Sequence, residues 1–218
     1  IITKEFNLAC SGRNTHVNNA CFGLESEEDK NVPLLYISEY LNPYRCFVEQ
    51  LSENGSTLLQ TIEASKDGKL FPVHDWVTDR ENNFLYGITC SWKQLDDLGN
   101  VKITITQFRM PKLNEGKHVV LDNKDFLDSF DVIFANGVQG AKIRKGHLYI
   151  ATGLQELDNH AKDSKRAIID VDLHKKIIVR TIDLTCITMN EPEDIDFYRN
   201  KCFLYCGQNG GIYEVRLK

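Results

Sequence analysis

No apolar run in the chain approaches the roughly 20 residues that cross a bilayer as a helix, so no membrane span is expected. Lysine and arginine form no long run, and their 26 residues against 31 aspartates and glutamates leave a formal charge of −5. Binding through neutralised phosphates needs the opposite balance, so no nucleic-acid partner is expected. The first residues lack the charged, apolar and small-residue zones of a signal peptide. An initiator methionine is also missing, and the chain opens in mid-pattern at Ile1-Ile2-Thr3, which leads us to expect that an upstream segment has been removed. The glycines of Ser11-Gly12-Arg13 and of Gly207-Gln208-Asn209-Gly210-Gly211 precede no helical pattern, which favours turns over a phosphate-binding loop.

The seven cysteines include no Cys-x-x-Cys pair. Cys202 and Cys206 fall on one expected strand, where four steps span roughly 13 Å, too far for a bond between them. Most cysteines read as buried apolar residues, with one or two disulfides as the alternative and zinc a remoter one.

What is present is a folded chain with an internal repeat. At 42% hydrophobic and 26% charged residues over 218 positions, it can bury a full core. Gly146-His147-Leu148-Tyr149-Ile150-Ala151-Thr152-Gly153 aligns without a gap on Asn200-Lys201-Cys202-Phe203-Leu204-Tyr205-Cys206-Gly207. The same offset places Gln139 on Glu193 and Ile143 on Phe197. In each copy a short strand turns into a second that ends in Gly, and a third follows a loop: Ala167 to Leu173 in one copy, Ile212 to Leu217 in the other. Strands recurring at a period near fifty indicate propeller blades.

Two further units precede these. The first begins at Asn18, passes the acidic loop Glu25 to Lys30, and continues through Leu34 to Ser38 and a hairpin turning at Asn54-Gly55. Such a turn needs residues with positive φ. The second starts at Asp75-Trp76-Val77-Thr78-Asp79, returns from Phe84 to Thr89, and has a third strand in which Val101, Ile103, Ile105 and Phe108 alternate with polar residues. Residues 122 to 134 break the strand rhythm, and a short helix or an ordered loop is expected there. Residues 1 to 8 match Ile177 to Leu184 in character. They are expected to pair with residues 212 to 217 and complete the C-terminal blade, which removes an exposed edge. The expectation is one all-β domain over residues 1 to 218, a β-propeller of four repeat units. The alternative is a portion of a five- or six-bladed ring.

The segment from Ala167 to Ile182, with its Ile169-Asp170-Val171 core and His174-Lys175-Lys176 turn, resembles bacterial β-propeller repeat proteins. Asn190 to Phe197 and Gly210 to Val215 are similar to segments of uncharacterised secreted or cell-envelope propellers of gut-type bacteria. The resemblance implies the fold and favours a secreted or cell-envelope location. It does not imply one activity, because propellers host hydrolases, lyases, lactonases, sensors and scaffolds.

The repeat isolates one position four times: Asn18, Asp75, Gln139 and Glu193, each opening the first strand of its unit. In a propeller such positions converge on the mouth of the central channel, with His16, His74 and Glu191 one or two residues earlier. These carboxylates, amides and imidazoles point to a site for a small molecule, a glycan or a protein, with Ca²⁺ as a candidate cation. The competing reading is that wet strand starts simply need polar residues. Asp75 and Glu193 also suggest an acid–base pair, whose like charges would raise one pKa, as in a carbohydrate- or lactone-active hydrolase or lyase. No complete nucleophile, base and orienting group is recognisable, so binding is favoured over catalysis. Asp158, His160 and Asp163 share a loop that reads as solvated. Trp76 and Trp92 read as packing residues, with Trp92 the more exposed, in a loop.

Overall fold

The computed structural model describes residues 5–11, 16–24, 32–96, 99–135, 137–153, 165–188, 190–207 and 210–217, leaving aside the side chains of Trp92 and Gln94. In chain order come β1 (Val17–Phe22), β2 (Leu35–Glu39), β3 (Cys46–Ser52), β4 (Gly55–Lys66) and β5 (Lys69–Leu70). There follow β6 (Asp75–Asp79), β7 (Phe84–Gln94), β8 (Asn100–Arg109), β9 (His118–Leu121) and β10 (Phe126–Ala135). The last strands are β11 (Val138–Arg144), β12 (His147–Thr152), β13 (Ala167–Asp172), β14 (Ile177–Asp183), β15 (Pro192–Tyr198), β16 (Lys201–Cys206) and β17 (Gly211–Val215). Two short 3₁₀ turns complete the regular structure of the described residues. The fold is all-β, with four small sheets arranged as a four-bladed β-propeller. Among the described residues no helix is long and apolar enough to cross a membrane.

Contacts divide the chain into two compact units, Ile1–Gly87 with Thr106–Asp128, and Ile88–Ile105 with Ser129–Lys218. In the first, the sheet order is β1-β2-β3-β4-β5, and β9 lies parallel against β4 with Thr61 opposite His118 and Ala64 opposite Leu121. This added strand occupies ladder positions along β4 that would otherwise be an edge. Its approach is held by the Gln60 amide, which donates to the carbonyls of Lys112 and Gly116 at 3.0 and 2.9 Å. Trp76, Tyr36, Phe108, Leu85 and Leu121 are fully buried and form the centre of this core. In the β3–β4 turn Gly55 supplies the positive φ, at 148°.

The second sheet is ordered β10-β8-β7-β6. Two expectations are corrected here. Residues 126–135 form a strand rather than a short helix, and burial alternates along it, with Val132 and Phe134 buried and Leu127, Asp131 and Ile133 exposed. Apolar residues on both parities mask that period-two pattern in the sequence, and only Asn123–Asp125 ahead of it is helical, as a single 3₁₀ turn. Trp92 lies on β7, not in a loop.

The second unit contains the third sheet, β11-β12-β13-β14, and the fourth, β15-β16-β17. The repeat is borne out to the residue: a single offset carries Val138–Arg144 onto Pro192–Tyr198 and His147–Thr152 onto Lys201–Cys206. Both first pairings carry an irregularity near the start, between Val138 and Ala141 and between Pro192 and Asp194. The residues of β13 are all buried, whereas those of β14 alternate, as befits an outer strand. Asp172 accepts the backbone N–H groups of His174 and Lys175 at 3.0 and 2.9 Å, and Lys176 closes the turn at φ 59°.

All seven cysteines are thiols, and six are buried, as the apolar reading expects. Glu5–Leu8 carry no strand, and residues 1–4 lie outside the described residues, as does the acidic loop at 25–30. Among the described residues the fourth sheet has three strands.

Candidate functional site

In the first unit, three side-chain hydrogen bonds tie β6 to β1 and β2. The Asn19 amide donates to the Trp76 carbonyl at 2.9 Å, the Trp76 N–H donates to Ser38 Oγ at 2.7 Å, and Thr78 Oγ1 donates to the Phe22 carbonyl at 2.8 Å. These bonds seat β6 beside β1 and bring together two of the positions singled out by the repeat. Asn18 Nδ2 donates to Asp75 Oδ1 at 2.8 Å, and Asp75 is wholly buried. A buried carboxylate costs much less when its lone pairs are engaged, and the Asn18 amide supplies such a partner.

The two histidines ahead of these strands bracket Tyr40, with ring centroids 5.3 Å from His16 and 5.1 Å from His74. Tyr44 meets His74 edge-on at 5.3 Å. Burial lowers the pKa of His74 below its ordinary value, which favours the neutral ring. The tyrosines escaped the sequence reading because they lie on the β2–β3 connection, outside the strands on which the repeat was aligned. Trp76 is fully buried, and its indole donates to the Tyr44 carbonyl at 3.0 Å, so it packs as expected.

In the second unit the Gln139 amide donates to Glu191 Oε1 in a short hydrogen bond. Glu191 is fastened through its backbone too, its carbonyl accepting the Gly207 N–H at 2.9 Å. Glu193 lies over Gly207, where an added Cβ would come within 2.3 Å of its Oε1. One residue along β11, a Cβ on Gly140 would meet Asp194 Oδ1 at 2.4 Å and the Glu193 carbonyl at 2.6 Å. The start of β15 thus lies against backbone that only glycine leaves open.

Asp194 is the residue that repeat arithmetic passed over. Burial pushes its carboxyl up to about 7, against the opposing effects of the Ile195 N–H, donated to Oδ1 at 2.7 Å, and of Lys142. Near neutrality it is therefore shared between its two protonation states. No alternation rule exposes such a residue, because its burial follows from the irregular step between Pro192 and Asp194.

Chemically, Gln139, Glu191 and Glu193 offer acceptors for hydroxyl or ammonium donors, and Asp194 offers an exchangeable proton. Among the described residues no group of three or more His, Cys, Asp and Glu is placed to hold a metal ion. Asp158, His160 and Asp163 lie outside the described residues, and the side chain of Trp92 likewise.

No protein-family model matches the chain, and no curated protein matches it. Among solved structures it is similar to the hydrazine synthase of Kuenenia stuttgartiensis, with a TM-score of 0.46 and 12% identity over 96% of this chain and 48% of that one. The chain thus spans about half the length of that structure, and a likeness of this degree says nothing of activity.

Proposed function

We propose that the chain is a ligand-binding or interaction propeller whose recognition residues are the polar side chains at strand starts. In the second unit these are Gln139, Glu191 and Glu193, and Asn18 and Asp75 hold the corresponding positions in the first. The observation that carries this reading is the hydrogen bond from Gln139 to Glu191, which joins the starts of β11 and β15 and fixes one carboxylate beside a second two residues on. Paired carboxylates and an amide suit a polyhydroxylated small molecule or glycan, whose hydroxyls donate to fixed acceptors. The resemblance of Asn190 to Phe197 and of Gly210 to Val215 to secreted or cell-envelope propellers favours an extracytoplasmic glycan as the ligand.

Calorimetry against a panel of soluble glycans, with and without Ca²⁺, tests this. Binding that weakens at least about tenfold in the Glu191→Gln, Glu193→Gln double variant supports it. Unchanged binding in a double variant of unchanged melting temperature overturns it.

One observation favours a second reading, a hydrolase or lyase acting on a carbohydrate or lactone. Asp194, titrating near 7 beside Glu193, resembles the acid member of an acid–base pair. Turnover in a glycan and lactone screen that is lost in Glu193→Gln would replace binding with catalysis.

A further inference from the structure

At the other ends of the same strands, the second unit contains a cavity of about 440 Å³, within the range of small-molecule sites. From Gln139 to Arg144 is roughly 16 Å of β11 by strand rise, so this cavity is distinct from the polar strand starts. It is lined by the β11–β12 turn, the β15–β16 turn and the end of β17, and its charge opposes that of the whole chain. Arg144, Lys145, Lys201 and Arg216 line it against a single carboxylate, Glu214, in a protein of net charge −5. That carboxylate is already engaged, accepting from Lys201 Nζ at 2.7 Å.

Two aromatic rings line the cavity with these cations. Tyr149 and Phe197 meet edge to face with centroids 4.9 Å apart. The Arg144 guanidinium lies over the Phe197 ring at 4.8 Å and is steadied by donating one N–H to the Arg199 carbonyl at 2.6 Å. A guanidinium stacked and tethered in this way loses little entropy on binding and presents a planar fork that matches a carboxylate. Arg216 adds an exposed charge, for which no acidic partner is found among the described residues.

We propose that this cavity binds a small aromatic carboxylate, its carboxylate between Arg144 and Arg216 and its ring against Tyr149 and Phe197. Arginine and aromatic side chains together select an anion with a flat apolar body, where lysines alone would hold any anion. The site is independent of the strand-start residues and stands or falls apart from them.

Ligand-observed NMR with benzoate, benzyl alcohol and inorganic phosphate as probes tests it. Benzoate is expected to bind, with an affinity that falls as salt rises, and to bind at least about tenfold more weakly to Arg144→Gln. Arg216→Gln, at an exposed position that does not endanger the fold, is expected to weaken it as well. Benzoate binding no tighter than benzyl alcohol, phosphate displacing it at equal concentration, or both variants binding as the parent does would each overturn the proposal.

Discussion

Glu193 occupies the room that a side chain at Gly207 would need, its Oε1 lying 2.3 Å from the position of an added Cβ. At Gly140 the obstruction is of another kind, since the Glu193 carbonyl and the Asp194 Cα lie within 2.6 and 2.7 Å of such a Cβ. A flexible carboxylate swings aside, whereas the backbone of strands held in two neighbouring sheets does not. Gly207→Ala is therefore expected to cost at most about 1 kcal/mol and to be relieved by Glu193→Ala in the same chain, while Gly140→Ala costs about 3 kcal/mol with no such relief. Urea denaturation of the four variants measures all of this, and equal costs at the two glycines would show that β11 and β15 are not in close contact there.

The raised pKa of Asp194 makes a stability prediction with a definite sign. The folded state holds its proton up to about 7, whereas the unfolded chain releases it near the ordinary aspartate value of 3.8. Between those values the native state binds more protons, so this residue's contribution is complete in acid and is lost as pH rises through about 7. At about 1.4 kcal/mol per pH unit the span is on the order of 4 kcal/mol. Asp194→Asn is expected to remove that decline. A parent and variant whose urea midpoints run parallel from pH 5 to pH 8 would contradict it.

His74 acts in the opposite sense. Its folded pKa lies below the ordinary histidine value because burial disfavours the imidazolium, so its contribution is present above about 6.5 and is lost as pH falls. In NMR its ring protons are expected to titrate below the ordinary histidine range. Should His74 titrate at or above the ordinary value of about 6.5, its packing between Tyr40 and Tyr44 would be wrong.

How much of this was legible beforehand follows from where symmetry operates. The offset between the third and fourth units placed the starts of β11 and β15 within one residue and aligned β12 with β16, because aligned repeats impose aligned strands. It also brought Gln139 and Glu193 into view, with Glu191 two residues ahead of the latter. It could not reveal Asp194, which follows a local irregularity, nor Tyr40 and Tyr44, which sit on the β2–β3 connection outside the aligned strands. The strand β10 was hidden because Leu127 and Ile133 put apolar side chains on its exposed parity. The strand β9 was hidden for a different reason: its partner β4 is some fifty residues away and parallel to it, and no local pattern announces a long-range parallel pairing.

The N-terminal segment is anchored by a buried acid, and this sets the final prediction. Glu49 is fully buried, and its carboxylate accepts the N–H groups of Ala9 and Cys10 at 3.1 and 2.7 Å together with the Ser56 hydroxyl. Cys10 in turn packs with Ile37 and Phe47, beside Leu8. Deleting residues 1–10 removes two of its three donors and leaves the Ser56 hydroxyl alone, a loss expected to cost about 3 kcal/mol. In the full chain Glu49→Gln is also destabilising, because an amide nitrogen cannot accept either N–H. In the truncated chain the same substitution is expected to be neutral or stabilising, since a neutral side chain is cheaper than an ion to leave underbonded. That reversal of sign, read as urea midpoints across a double-mutant cycle, is specific to an anchoring carboxylate. If Glu49→Gln costs the same in both backgrounds, the segment is held by apolar packing of Leu8 and Cys10 alone.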